Sequence, residues 1–139
     1  MGNTQTMIRI SFEDMQTASK NPETNLIINT LPESEQGCLI VGTVTVEQEL
    51  MLINRYLKEN KNIRIILYGK NCNDETVQKK YQQLYALGFI NVYVYQGGLF
   101  EWLMLQDIYG KDFFQTTSVQ PDLLRFKPKQ MLNVSLLQY

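Results

Sequence analysis

Short apolar runs alternate with helical patterns along most of the chain, and this alternation constrains the fold more than any other feature. The runs lie at residues 7–11, 26–28, 38–41, 63–67 and 92–95. Continuous apolar runs of this length are typical of strands covered on both faces, and strands that alternate with helices form βαβ units. The pattern therefore predicts one α/β domain whose mostly parallel sheet has helices on both faces.

Capping residues predict where three of the helices begin. The candidates are Ser11 with Asp14, Thr45 with Gln48, and Asp74 or Asn73. Gly88 is expected to end the third helix, and Gly97 with Gly98 turns the chain into a fourth. In a parallel sheet, ligands bind outside the carboxyl ends of the strands. The loop 69–75 and the segment 96–98 therefore form the predicted site.

Histidine is absent from the 139 residues, and this absence excludes several classes of enzyme. A Ser-His-Asp or Cys-His nucleophile pair cannot form, and no imidazole can bind a metal ion. The two cysteines are too few for a four-thiolate zinc site. With 13 Lys and Arg against 14 Asp and Glu, the chain also lacks the charge excess typical of nucleic-acid binding. We therefore expect no metal, no cofactor and no nucleic-acid partner.

The sequence contains no apolar stretch of the ~20 residues that a membrane-spanning helix needs. Its N-terminus also lacks the positive start and apolar run of a secretory signal. The expected location is the cytoplasm, with Cys38 and Cys72 reduced and Cys38 in the core. Gly2 followed by Thr6 fits a short N-myristoylation pattern, although a flexible polar N-terminus at residues 1–6 is the preferred interpretation.

The second half of the chain carries a set of residues at fixed distances from one another. These are Gly88-Phe89, Asn91-Val92-Tyr93, Gly97-Gly98 and Trp102, all downstream of an apolar strand that ends at Tyr68. This pattern resembles the rhodanese-like domain. Residues 10–15, 26–29 and 40–43 resemble the first half of that domain more weakly. The resemblance covers residues 7–110 and implies an α/β fold with a five-stranded, mainly parallel sheet.

The resemblance divides the chain into a rhodanese-like domain at residues 7–115 and a C-terminal extension at residues 116–139. The extension has two prolines and scattered apolar residues that follow neither a helical nor a strand period. We expect the extension to pack on its own domain, and binding to a partner is the alternative.

Active members of this family move a sulfur atom with a loop cysteine, which the resemblance places directly after the strand, at Gly69. Backbone N–H groups and a helix N-terminus hold the ionised thiol, and a loop arginine attracts the anionic donor. Asp74 and Glu75 lie where the arginine is expected, and Lys70 is the one basic residue of the loop. The resemblance therefore implies a variant loop with impaired catalysis.

Cys72 lies inside the same loop, three residues after the expected cysteine position. It is the tentative catalytic residue, with Asn71 and Asn73 on either side and with Gly97 and Gly98 at the rim of the pocket. Two functions follow. The first is a silent binding or regulatory module whose partner is a protein or a small sulfur-containing anion. The second is a thiosulfate or persulfide sulfurtransferase that uses Cys72.

Overall fold

The structure is a computed structural model that describes residues 6–132, and within that range it contains four strands and four α-helices. The strands are β1 (Ile8–Ile10), β2 (Asn25–Asn29), β3 (Arg64–Tyr68) and β4 (Val92–Tyr95). The α-helices are α1 (Phe12–Ser19), α2 (Val46–Glu59), α3 (Glu75–Leu87) and α4 (Gly98–Tyr109), and two 3-10 turns span Glu33–Glu35 and Leu123–Phe126. The strands pair in the order β1-β4-β3-β2, and every pair is parallel. This α/β architecture confirms the predicted fold class.

The core forms two apolar clusters, one on each face of the sheet, because successive side chains of a strand point to opposite faces. Tyr95 belongs to the cluster beneath α1 and α4, where Trp102 is fully buried. Val94 belongs to the cluster beneath α2 and α3, where Tyr81 is buried. Cys38 is buried in the first cluster, as the sequence predicts. Both faces of the central strands are therefore covered, which explains the continuous apolar runs within β2, β3 and β4.

The predicted strand at residues 38–41 is not a strand, and the sheet formed by residues 6–132 has four strands instead of five. The segment has a bend at Cys38, an isolated antiparallel bridge from Ile40 to Thr116 and a turn at Val41, and its backbone pairs with the chain that returns after α4. The Val41 N–H donates to the Gln115 carbonyl over 3.1 Å, and the Thr117 N–H donates to the Leu39 carbonyl over 2.8 Å. The run is apolar because this segment is buried in the core, and burial alone does not make it a member of the sheet.

Two of the three predicted capping sites bond as expected. The Ser11 hydroxyl accepts from the Asp14 N–H over 3.4 Å, and the Asp14 carboxylate accepts from the Ser11 N–H over 3.1 Å. Asp74 caps α3 through its side chain. The predicted box of Thr45 and Gln48 is wrong, because the Thr45 side chain makes no capping bond, although α2 begins directly after it. The Gln48 N–H bonds instead to the Thr45 backbone carbonyl, over 3.1 Å.

The chain folds back over the domain after α4. Phe114 and Phe126 of this returning segment are buried. The indole N–H of Trp102 donates to the Gln115 carbonyl over 3.1 Å. The first part of the predicted extension therefore packs on its own domain, while the proposed domain boundary at residue 115 stays a prediction.

Within residues 6–132, no helix is both long enough and apolar enough to cross a membrane. The predicted flexible N-terminus lies outside the described residues except for Thr6, and so does the myristoylation position Gly2. Residues 133–139 of the predicted extension also lie outside the described part of the chain.

Candidate active-site loop

The loop at residues 69–74 joins the carboxyl end of β3 to α3, at the edge of the sheet where ligands bind in parallel α/β folds. Strand β4 ends beside it and leads through a two-glycine turn into α4. The Leu99 N–H donates to the Gly69 carbonyl over 2.9 Å, and the Phe100 N–H donates to the Lys70 carbonyl over 2.8 Å. The first turn of α4 therefore binds the loop directly and fixes its backbone.

Gly98 allows the two segments to approach this closely. Its φ of +67° lies in the left-handed region, and a Cβ there would lie 2.7 Å from the Gly69 carbonyl oxygen and 2.9 Å from the Asn71 nitrogen. Both are backbone atoms, so no side-chain movement relieves the contact. A Cβ at Gly97 would lie 2.4 Å from the carboxyl carbon of Glu101. Gly98 therefore allows the close contact with the loop backbone, and Gly97 leaves room for the Glu101 side chain. Their role as the rim of a pocket stays a prediction.

Gly69 has no room for a side chain. A Cβ at this position would lie 2.4 Å from Asp74 Oδ2 and 2.7 Å from Val77 Cγ2. Three hydrogen bonds hold the Asp74 carboxylate there. Oδ2 accepts from the Lys70 N–H over 2.9 Å, and Oδ1 accepts from the Thr76 N–H over 3.1 Å and from its hydroxyl over 2.6 Å. A carboxylate of the chain itself therefore fills the space beside residue 69 and accepts one of the loop's N–H groups.

The one basic residue of the loop, Lys70, pairs with the segment that follows β2. Its ammonium nitrogen lies 3.4 Å from Glu35 Oε1. The other carboxylate oxygen of Glu35 is buried and has no hydrogen-bond partner within residues 6–132. A partly buried carboxylate needs a cation beside it, because its desolvation is otherwise costly. Lys70 therefore neutralises Glu35, and a ligand of the loop would have to compete with Glu35 for its ammonium group.

Asn71 joins the loop to the returning C-terminal segment. Its side-chain N–H donates to the Phe126 carbonyl over 2.9 Å. Its side-chain oxygen accepts from the Asn73 N–H over 2.9 Å, which closes an Asx turn around Cys72. The predicted loop residues Asn71 and Asn73 therefore hold the shape of the loop through their own contacts.

Cys72 is exposed, and its thiol lies 3.8 Å from Asn73 Oδ1. It lines a cleft of about 240 Å³ between the loop, α3 and the edge of the sheet, together with Glu75. Arg9 lines the same cleft, and its Nε donates to Gln96 Oε1 over 2.8 Å. The side-chain N–H of Gln96 donates in turn to the Cys72 carbonyl over 2.7 Å. A cation from β1 therefore faces the cleft that Cys72 lines.

Arg9 is not among the residues that the sequence predicts for the site, because it is remote from the loop along the chain. A signal was present in the alternation of the first strand, where Ile8 and Ile10 share one face, so that Met7 and Arg9 share the other. Strand β1 pairs with β4, and Arg9 lies opposite Val94 in this register. The strand order places Arg9 beside the segment that follows β4, and sequence alternation alone does not reveal that order.

Two tyrosines at the ends of the central strands are buried beneath the site. The Tyr95 hydroxyl donates to Glu101 Oε2 over 2.5 Å. Burial raises the pKa of Tyr95 well above its ordinary value, and the hydrogen bond and negative charge of Glu101 raise it further. Burial also raises the pKa of Tyr68, whose hydroxyl accepts from the Ile40 N–H over 3.1 Å. Both phenols therefore stay protonated and serve as packing and hydrogen-bonding groups.

The comparison with known families decides the identity of the fold. The family model described as the rhodanese-like domain matches residues 12–105, which is more than half of the chain. The chain belongs to the rhodanese-like domain family. Curated protein sequences gave no match.

Solved structures share the fold of this rhodanese-like domain at low sequence identity. The BH2092 protein of Bacillus halodurans has a TM-score of 0.62 and 17% identity, over 93% of this chain and 89% of that one. The rhodanese-like domain of the Alr3790 protein of Anabaena sp. has a TM-score of 0.56 and 20% identity, over 84% and 86%. RDL2 of Saccharomyces cerevisiae, a single-domain sulfurtransferase, has a TM-score of 0.51 and 15% identity, over 78% and 98%. At these identities the likeness shows the fold alone.

Two adjoining places for chemistry exist in this rhodanese-like domain. The first is the space beside Gly69, where the resemblance places the catalytic cysteine and where the Asp74 carboxylate lies. The second is the cleft that Cys72 lines together with Arg9, Asp74 and Glu75. The structure brings the predicted loop residues to one edge of the sheet, where the Cys72 thiol is exposed and lines the cleft, and the atoms nearest to the space beside Gly69 belong to Asp74 and Val77.

Proposed function

We propose that this rhodanese-like domain is a binding or regulatory module that lacks the usual sulfurtransferase reaction at residue 69. One observation carries the proposal: the Asp74 carboxylate lies 2.4 Å from the position that a Cβ at Gly69 would take. A nucleophile at residue 69 is excluded while Asp74 keeps its capping position. The carboxylate also repels an anionic sulfur donor in that space, by about 1–4 kcal/mol for a close charge pair.

A protein partner fits this loop better than a small anion does. The charged and polar groups that normally receive an anion already have partners in the chain, since Lys70 pairs with Glu35 and its N–H binds Asp74. Asn71 is bound to the Phe126 carbonyl. A loop with these contacts presents a fixed surface, and a fixed surface loses little conformational entropy when a protein binds it.

A thiosulfate:cyanide assay and a thiosulfate titration followed by NMR test the proposal. We expect the wild type to form no thiocyanate above the protein-free control and to show no saturable shift of the Lys70 N–H. In Asp74→Ala the space beside Gly69 is open, and that N–H should shift with thiosulfate. The matched control is Asp112→Ala, which removes an exposed carboxylate outside the loop. Turnover by the wild type that disappears in Cys72→Ser would contradict the proposal.

A second candidate function is sulfur transfer by Cys72, and the position of Arg9 favours it. The guanidinium supplies, from β1, the cation that the loop lacks, and it lines the same cleft as the thiol. Through Gln96 it is also linked by hydrogen bonds to the Cys72 backbone. The yeast neighbour RDL2, described as a single-domain sulfurtransferase, shares the fold on which such chemistry occurs.

The reaction at Cys72 balances as two displacements. The Cys72 thiolate attacks the outer sulfur of thiosulfate, a persulfide forms on the cysteine, and sulfite leaves with the electron pair of the broken S–S bond. Cyanide then takes the outer sulfur as thiocyanate and restores the thiolate. We expect any such activity to vanish in Cys72→Ser and to fall about 10-fold or more in Arg9→Gln through a higher KM. Arg55→Gln, on the remote helix α2, is the matched control and should change neither constant.

A further inference from the structure

A groove of about 290 Å³ lies between α1 and the face of the sheet that this helix covers. Its apolar lining includes Ile10 and Ile66 of the sheet and the half-buried ring of Tyr93. Ala18 of α1 borders the groove with a single methyl group, so the helix leaves space above the strands. A concave and partly apolar surface of this volume is close to the lower limit of the sites that bind small molecules.

The groove is separate from the loop at residues 69–74. Arg64 begins β3 and lines the groove, whereas Gly69 follows the last residue of the same strand. The five residues of β3 place its two ends about 13 Å apart. The groove also lies on the other face of the sheet from the Cys72 cleft, since Ile66 and Val94 belong to different core clusters. A ligand of the groove therefore leaves the Cys72 cleft free.

Arg64 supplies a cation to the groove. Its side chain is exposed, and its Nη1 donates to Asn25 Oδ1 over 3.4 Å. Asn25 is buried and pairs with Arg64 in the sheet, so this long hydrogen bond holds the guanidinium beside the groove. Glu23 lines an adjoining cleft with Arg64, but Arg64 forms no ion pair within residues 6–132. Its other N–H groups can therefore bind a carboxylate of a ligand through two hydrogen bonds.

Asp14 supplies an anion to the same groove. Its Oδ2 accepts from the Ser11 N–H and from the Ser11 hydroxyl, each over 3.1 Å. Within residues 6–132 its Oδ1 accepts no hydrogen bond, and the carboxylate forms no ion pair. The capping box therefore fixes the position of this carboxylate and leaves one of its oxygens for a cationic group of a ligand.

The strand register places the two charges at opposite ends of the groove. Arg64 lies two residues before the β3 partner of Tyr93, and Ile10 lies two residues after the β1 partner of Tyr93. Four residues along the strands and two strand spacings across them separate the Cα atoms of Arg64 and Ile10 by about 16 Å. Asp14 lies in the first turn of α1, which follows Ile10 directly. Because both charged side chains line the groove, their ends lie on the order of 10 Å apart.

We propose that this groove binds a small zwitterion in which an aliphatic chain joins a carboxylate to an ammonium group. The carboxylate binds Arg64, the ammonium group binds Asp14 Oδ1, and the chain lies on Ile10 and Ile66. The groove carries one charge of each sign, so charge complementarity favours a ligand that also carries one of each. A ligand with only one of the two groups leaves either Arg64 or Asp14 without a partner.

NMR titration of the full chain with 8-aminooctanoate tests the proposal, because the charged groups of this probe lie about 10 Å apart when it is extended. We expect saturable shifts of the amide signals of Ala18, Ile66 and Tyr93, with a Kd of about 4 mM or lower from the ligand efficiency of drug-sized molecules. Octanoate and octylamine each lack one charged group and should bind at least about 10-fold more weakly.

Two variants assign the charged groups of the probe to Arg64 and Asp14. Arg64→Gln should weaken the binding of 8-aminooctanoate by at least about 10-fold and should leave the binding of octylamine unchanged. Asp14→Asn keeps an oxygen for the helix cap, and in this variant 8-aminooctanoate should bind no more tightly than octanoate. The matched controls are Arg55→Gln and Asp112→Asn, which remove exposed charges outside the groove and should bind all three probes as the wild type does.

Three outcomes overturn the inference. The first is the absence of saturable shifts in the wild type up to about 40 mM 8-aminooctanoate, ten times the expected Kd. The second is binding of octanoate or octylamine as tight as that of 8-aminooctanoate, since one of the two charges then plays no role. The third is unchanged affinity in Arg64→Gln with shifts confined to residues 71–77, because the probe then binds in the Cys72 cleft. The first two outcomes are read from the wild type alone and do not depend on the folding of any variant.

Discussion

Replacing Gly69 by alanine adds one methyl group at a position where the loop has no space for it. The new Cβ would lie 2.4 Å from Asp74 Oδ2 and 2.7 Å from Val77 Cγ2, and contacts below 3.0 Å force a movement. Val77 is buried in the core beneath α3 and resists displacement. The Asp74 side chain is therefore the group that leaves.

The cost follows from the bonds that Asp74 loses. Its carboxylate accepts from the N–H groups of Lys70 and Thr76 and caps α3. Loss of an N-cap costs about 0.5–2 kcal/mol, and loss of a charge-assisted hydrogen bond costs about 1.5–3 kcal/mol. We expect Gly69→Ala to lower the free energy of unfolding by about 2–4 kcal/mol, and Asp74→Ala alone to lower it by about 1–3 kcal/mol.

Urea denaturation of both single variants and of the double variant measures the coupling. Because both substitutions remove the same bonds of Asp74, the double variant should lose at least about 1 kcal/mol less than the sum of the single variants. The new Cβ still lies against Val77 in the double variant, so removing the Asp74 carboxylate relieves only part of the cost of Gly69→Ala. Gly37→Ala is the matched control, because a Cβ there meets nothing within 4 Å. It should change stability by less than about 0.5 kcal/mol.

Two results would refute this reasoning. Equal losses of stability in Gly69→Ala and Gly37→Ala would show that the loop does accept a side chain at residue 69. Additive losses in the double variant would show that the Asp74 carboxylate is not the group that excludes it. The first result would give a nucleophile at residue 69 space, and the second would remove the role of Asp74, so either one removes the main support for a silent module.

Three further predictions concern the surroundings of the loop. In urea denaturation, Gly98→Ala should lower the free energy of unfolding by at least about 2 kcal/mol more than Gly88→Ala does. Both glycines have a positive φ, but only at Gly98 would a Cβ meet the backbone of the loop. Burial and the bond to Glu101 raise the pKa of Tyr95, so the unfolded chain loses this proton first. Stability should therefore fall as pH rises above about 10, and less so in Tyr95→Phe. Asn71→Ala should speed proteolysis of residues 115–126, because it removes the bond that ties this segment to the loop.

The features that the sequence predicted well depend on neighbouring residues. The start of α1 follows from the bonds between Ser11 and Asp14, three positions apart, and the cap of α3 follows from Asp74 beside the first residues of that helix. The central strands β2, β3 and β4 were recognisable because they are buried on both faces, which makes each of them a largely continuous apolar run. Alternation of these elements was sufficient to predict the α/β fold.

The features that the sequence did not predict depend on contacts between remote segments. Residues 38–41 have the composition of a strand, but they pair with residues 115–117, which lie more than 70 positions away. An apolar composition indicates that a segment is buried, but it does not show which other segment of the chain pairs with it. Arg9 enters the cleft for a similar reason, since β1 lies beside β4 in the sheet. Asp74 fills the space beside Gly69 because of how its side chain is placed within the loop. The periodicity of the sequence gives no information on that placement.

The charge that a ligand meets differs from the charge counted along the loop. The sequence gives Lys70 against Asp74 and Glu75, and hence a loop that repels anions throughout. In the structure Lys70 pairs with Glu35. Beside residue 69, the Lys70 backbone N–H partly offsets the negative charge of the Asp74 carboxylate. The cleft of Cys72 is lined by Arg9 and by both Asp74 and Glu75. Arg9 offsets one of these two carboxylates, so the repulsion of anions is lower at Cys72 than beside residue 69, where the Asp74 carboxylate fills the space. An anionic sulfur donor, if this domain binds one, is expected at Cys72.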